Sequence, residues 1–152
     1  MENTKNYIVC HKQVCKIVAI ENNNYILKPV DDNSLILQVP IDSKILRDLI
    51  NKKDVEKLFK EIPNIEIITD NDRLIEQTYK NLMHNGSFES LVKIIKTTYI
   101  RNENRKKNKK KLSEIDEEYF IKAESYLYNE LSIVLNLSFE ETKDYVIKKL
   151  VN

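Results

Sequence analysis

Apolar residues change rhythm along this chain. Up to Pro63 they come mostly in short β-branched runs broken by polar turns, and afterwards they recur every three or four positions. Tyr7–Cys10, Val14–Ile20, Tyr25–Lys28 and Leu35–Val39 read as strands. Glu21–Asn24 and Asp31–Ser34 read as turns, because asparagine accepts positive φ. Pro29 bends the end of the third run and Pro40 stops the fourth. A single turn near Asp42–Lys44 and a short fifth strand over Leu46–Ile50 complete the set, which predicts a small barrel or sandwich. Asp54 is placed to cap a helix carrying Val55, Leu58, Phe59 and Ile62, ended by Pro63.

Beyond a short linker, Asn64–Thr69, the period is helical throughout. Asp70 or Asn71 caps a first helix with Leu74, Ile75, Thr78, Tyr79, Leu82 and Met83 on one face, and Gly86 closes it. Ser87 opens a second, with Leu91, Val92, Ile94, Ile95, Thr98 and Tyr99 inward. Ser113 with Asp116 resembles a capping box and opens a third, lined by Ile115, Tyr119, Phe120, Ala123, Leu127, Leu131 and Val134 or Leu135. Ser138–Glu141 is a full capping box for a fourth, with Tyr145, Val146, Lys149 and Leu150. The expected fold is α+β: a five-stranded β module over residues 1–66, then an all-α domain of about four helices over 67–152.

Composition removes several function classes. One glycine among 152 residues cannot build a phosphate-cradling loop, a dinucleotide turn or a nucleophile elbow. Cys10, Cys15, His11 and His84 would all have to converge to hold zinc, and no metal site or cofactor is expected. His11 beside Cys10 on a strand points to the opposite face, and His84 suits the last turn of a helix. The acidic pairs fall in a turn or in first helical turns, so no catalytic residue emerges and no enzyme is expected. No apolar run approaches the roughly 18 residues of a membrane span. The polar N-terminus predicts no signal peptide, and two isolated thiols suit a reducing cytoplasm.

Charge is balanced overall at +1 but unevenly placed. Residues 101–111 carry seven basic side chains and one acidic, and residues 112–152 carry four and nine. With no apolar residue to bury, the basic stretch reads as an inter-helix segment, either solvated or in contact with nucleic-acid phosphate. It is not interleaved with aromatics, so base stacking is not indicated.

The stretch Tyr7-Ile-Val-Cys-His-Lys-Gln-Val-Cys-Lys-Ile-Val-Ala-Ile20 resembles the opening strands of the CarD/CdnL family of bacterial transcription regulators. The same module occurs in transcription-repair coupling factors. Tyr25–Val30, Asp32–Leu35, Val39-Pro40, Arg47–Ile50 and Val55–Phe59 continue the resemblance. So does Leu112-Ser113 through Ala123-Glu124, with Leu127, Asn129–Leu131 and Leu135. It implies a Tudor-like β-barrel that docks on the RNA polymerase β subunit, with Asn24, Ile36 and Gln38 at the contact. It also implies a helical domain that touches promoter DNA weakly, mostly through its backbone, at the upstream edge of the melted bubble. Arg73, Lys80, Arg101, Arg105, Lys106, Lys107, Lys109 and Lys110 are the expected phosphate contacts, and a monomer is expected. Gln13 stands where the family has a turn glycine, and Gln38 where it has a polymerase-contacting arginine. Many members wedge a tryptophan into the minor groove; this chain has no tryptophan and holds Asp72 in that region. The basic stretch is then the expected source of DNA affinity. The alternative is a protein-interaction adaptor on RNA polymerase or another partner, without direct DNA contact.

Overall fold

A computed structural model describes residues 4–151. A short 3₁₀ turn, Thr4–Asn6, leads into five antiparallel strands: β1 (Tyr7–Cys10), β2 (Gln13–Glu21), β3 (Asn24–Pro29), β4 (Leu37–Pro40) and β5 (Leu46–Arg47). Their order in space is β4-β3-β2-β1-β5. The sheet curls into a half-barrel whose two ends do not pair, so β4 is an open edge.

The turns follow from residue chemistry. His11 and Lys12 join β1 to β2, and His11 takes φ 57. The positive φ therefore falls on His11, and Gln13 is an ordinary strand residue paired with Cys10. Asn22 and Asn23, both left-handed (φ 51 and 63), form the two-residue loop between β2 and β3. A bulge between Ile17 and Ala19 sharpens the curl. The fourth strand starts two residues later than the apolar run suggested, because Asp32 organises the preceding turn by accepting from the Ser34 N–H and hydroxyl. The fifth begins at Leu46 as expected but ends at Arg47, and the Ile50 N–H goes to a helix carboxylate, Glu130, instead of a strand partner.

Five helices follow, not four: α1 (Lys52–Glu61), α2 (Asp72–Asn85), α3 (Phe88–Lys107), α4 (Glu114–Leu135) and α5 (Phe139–Val151). Asn51, not Asp54, caps α1; the Asp54 N–H donates to the Asn51 side chain at 2.9 Å. Val55, Leu58, Phe59 and Ile62 pack in one core with α2–α5, so α1 belongs to the helical layer although it precedes the expected boundary. Ile8, Cys10, Cys15, Leu27 and Val39 form a separate small core inside the half-barrel. Val9 and Val14 face the other way and are buried where β2 meets α4.

Gly86 closes α2 in the left-handed region (φ 67), and the Ser138–Glu141 box forms reciprocally at 3.0 Å in both directions. Helix α3 is central. Val92 and the run from Ile94 to Thr98 are buried around its whole circumference, which is why its apolar stripe extends beyond one face. The Lys96 ammonium donates to the carbonyls of Ile62, Pro63 and Ile65 at 3.1, 3.3 and 2.7 Å, and the Ile68 N–H donates to Thr97 Oγ1 at 3.0 Å. The stretch between α1 and α2 is thus fastened to α3.

One carboxylate joins sheet to helices. Glu130, on α4 and nearly fully buried, takes a two-pronged bond from Arg47 of β5 at 2.8 and 2.9 Å. It also accepts from the Ile50 N–H at 2.8 Å. The guanidinium lies 5.1 Å from the Phe88 ring centroid.

Candidate functional site: a strand edge and a cationic helix end

The open edge of β4 is defined by register. Leu37 pairs with Leu27, Val39 with Tyr25 and Pro40 with Asn24. The Ile41 N–H donates to the Asn23 carbonyl, which sets the phase of the ladder. Antiparallel bonds alternate, so Leu37 and Val39 bond inward to β3, and Gln38 turns its peptide group outward; Ile36 immediately precedes the strand. Pro40 ends the outward row, because it has no N–H to offer.

The side chains around this edge are unusually apolar for a surface. Ile36 is 61 % exposed, and Leu35 and Ile41 flank the strand in the open. Val18 beside the bulge and Ile20 near the end of β2 are 53 % and 63 % exposed. Gln38, Ile26 and Ala19 form one cross-strand row. Asn24 stands opposite Pro40, its side chain turned into the hairpin by a bond to the Asn22 carbonyl. The three residues expected at a polymerase contact, Asn24, Ile36 and Gln38, are thereby gathered at β4 and its neighbour. Leu35 and Ile41 join them; Val18 and Ile20 are exposed on β2, two strands in from this edge, and Ile20 shares its row with Tyr25 and Val39. Strand alternation alone did not single these out, because their exposure depends on the curl and the bulge.

The basic residues are arranged differently from the sequence expectation. Residues 101–107 are not an inter-helix segment but the last two turns of α3; no glycine or proline interrupts them. Arg101 Nε and Arg105 Nη1 donate to Asp116 Oδ2 at 2.9 and 2.6 Å, and Tyr79 donates to Asp116 Oδ1 at 2.8 Å. Arg101 also reaches Asp72 at 2.5 Å. Asp116 therefore does not return to Ser113 as in a capping box; only the Ser113 hydroxyl accepts, from the Asp116 N–H. The arrangement suits the helix dipoles, with cations at the end of α3 and acids at the starts of α2 and α4. The Arg101 guanidinium holds the Asp72 carboxyl below the usual carboxylate range. Desolvation and the bond to Asp116 push the Tyr79 hydroxyl upward.

Lys106 reaches Glu103 at 3.4 Å and Lys111 reaches Glu114 at 4.0 Å. Lys107, Lys109 and Lys110 form no ion pair among the described residues and lie exposed at the end of α3 and in the loop after it. Arg73, exposed in the first turn of α2 beside Asp72, sits at this same end of the bundle. Lys80, seven residues further along α2, is exposed about two turns away on the same side. Cys10 and Cys15 are buried free thiols; burial pushes the Cys15 thiol up to about 11. No helix among the described residues is long and apolar enough to cross a membrane.

In comparison with known proteins, the chain matches no family model and no curated sequence.

Proposed function

We propose that this chain is a non-enzymatic transcription regulator of the CarD/CdnL type, and that its half-barrel is a Tudor-like module. The edge of β4 adds to a strand of the RNA polymerase β subunit, and the cationic end of the helices meets promoter DNA beside the open bubble. The observation that carries the reading is the free edge of β4, with the outward peptide group of Gln38 set among the exposed apolar side chains of Leu35, Ile36 and Ile41. Such an edge is built for strand addition, where main-chain bonds supply affinity and neighbouring side chains supply selectivity. Delivered by that anchor, Lys107, Lys109, Lys110, Arg73 and Lys80 act at high effective concentration and need little affinity of their own.

A second reading, a protein-interaction adaptor, is favoured by one specific observation. Arg101 and Arg105 are committed to Asp116 and Asp72, which leaves fewer free cations for phosphate than the sequence supplies.

The test is capture of purified RNA polymerase by the full chain and by Gln38→Pro. The substitution removes an outward N–H at an edge position where proline is tolerated, so thermal unfolding should be nearly unchanged. Capture should weaken at least about fivefold. Equal capture by both proteins, with Ile36→Asp also unchanged, refutes docking at this edge. Neutralising Lys107, Lys109 and Lys110 then separates the two readings: a regulator loses open-complex stabilisation and its salt dependence, whereas an adaptor keeps both.

A further inference from the structure

A second cationic site lies far along the chain from the basic stretch, where the half-barrel meets the helices. A cleft of about 460 Å³ opens there, within the size range of small-ligand sites. Four separate segments line it. His11 and Lys12 come from the β1–β2 turn, Lys44 and Arg47 from the β4–β5 connection and β5, Ser87 from the start of α3, and Tyr126 and Glu130 from α4.

The electrostatics of this cleft are unbalanced. Its one acid, Glu130, is already held by Arg47 and the Ile50 N–H. Lys12 and Lys44 form no ion pair among the described residues. Lys12 is drawn across Gly86; a Cβ on that glycine would lie 2.5 Å from Lys12 Cε. The lysine therefore lies beside the positive end of α3, which Ser87 caps. Two unpaired ammonium groups and a helix N-terminus thus border one cavity and make it a cationic site that favours an anion. Leu91, one turn into α3, and Tyr126 of α4 also line it, and the Tyr126 ring offers an aromatic surface for an organic group.

We propose that this cleft binds a phosphoryl group, held by Lys12, Lys44 and the start of α3. The anion neutralises the positive charge around the cleft, and Arg47 stays in its structural bond to Glu130. The phosphoryl group is carried either by a free nucleotide, with its base against Tyr126, or by a nucleic-acid backbone. The site is independent of the polymerase-docking reading, since neither β4 nor the free lysines after α3 line it.

The test is calorimetric titration of the full chain at low salt with pyrophosphate, with ATP and with a short DNA duplex. Each titration is repeated on Lys12→Ala/Lys44→Ala and on a control with the same charge change elsewhere, Lys148→Ala/Lys149→Ala. Each pair combines one exposed and one half-buried lysine, and circular dichroism checks that both variants fold. Binding of pyrophosphate or ATP that falls at least about tenfold in the cleft variant, but not in the control, supports the site with a small-molecule ligand. A comparable fall for the duplex alone supports it with a backbone phosphate. Absence of binding by all three probes, or equal losses in both variants, overturns it.

Discussion

Replacing Asp116 by asparagine probes the network that welds α2, α3 and α4 together. The carboxylate is fully buried, yet three donors end on it: Tyr79 at 2.8 Å, Arg101 at 2.9 Å and Arg105 at 2.6 Å. Asparagine has the same shape but no charge, and its amide turns a donor toward groups that are themselves donors. Removing one side of a buried ion pair costs about 3–5 kcal/mol. The arginine side chains retain 19 % and 20 % exposure and keep contact with Asp72, so water and that acid recover part of the loss. The lower end, about 3 kcal/mol, is the expected effect. For a chain of this size that corresponds to a fall in Tm of roughly 6–12 °C. Urea unfolding followed by circular dichroism measures it, with Asp72→Asn as the reference. Asp72 is exposed, and its pair contributes under about 1 kcal/mol. A loss for Asp116→Asn no larger than that of Asp72→Asn would refute the reasoning.

Two other perturbations address separate parts of the fold. Burial raises the Glu124 carboxyl above its ordinary range, against the pull of Lys143. The folded chain then keeps a proton that the unfolded chain has released, so stability falls as pH rises from the ordinary glutamate range to the raised value. Glu124→Gln should flatten that part of the pH–stability curve, and identical slopes in the two proteins would sink the idea. Lys96→Met keeps the length of the side chain but leaves the Ile62, Pro63 and Ile65 carbonyls without their shared donor. A loss of about 2 kcal/mol is expected, together with faster amide exchange at Ile65 and Ile68. Unchanged exchange at those amides would show that the linker is held by something else.

Much of the architecture was legible in the sequence because local chemistry dictated it. Asn22-Asn23 makes a tight hairpin, Gly86 ends a helix, and the Ser138 box starts one; each needs only neighbours in the chain. What was not legible depends on distant partners. Asp116 sits where a first-turn acid belongs, and only the fold turns it inward to meet Arg101 and Arg105, fifteen and eleven residues earlier. The same pairing extends α3 through residues that read as a charged loop. Helix α1 was visible, but its partners lie beyond residue 66, so its place in the helical core was not. The fourth strand was visible as an apolar run, whereas its place at the sheet edge required the fold. The cleft at Lys12 and Lys44 had no local signal, since its walls come from four distant stretches.

The bond between Arg47 and Glu130 has a mechanical consequence. Force applied at β4 passes through four successive ladders to β5, and from there into α4 through a two-pronged contact to the buried Glu130. Lys96 clamps the connecting stretch against α3 on the other side of the joint. Sheet and bundle therefore turn as one lever rather than as two beads on a string. A partner gripping the edge of β4 would thereby also fix the distance and angle at which the helices are held.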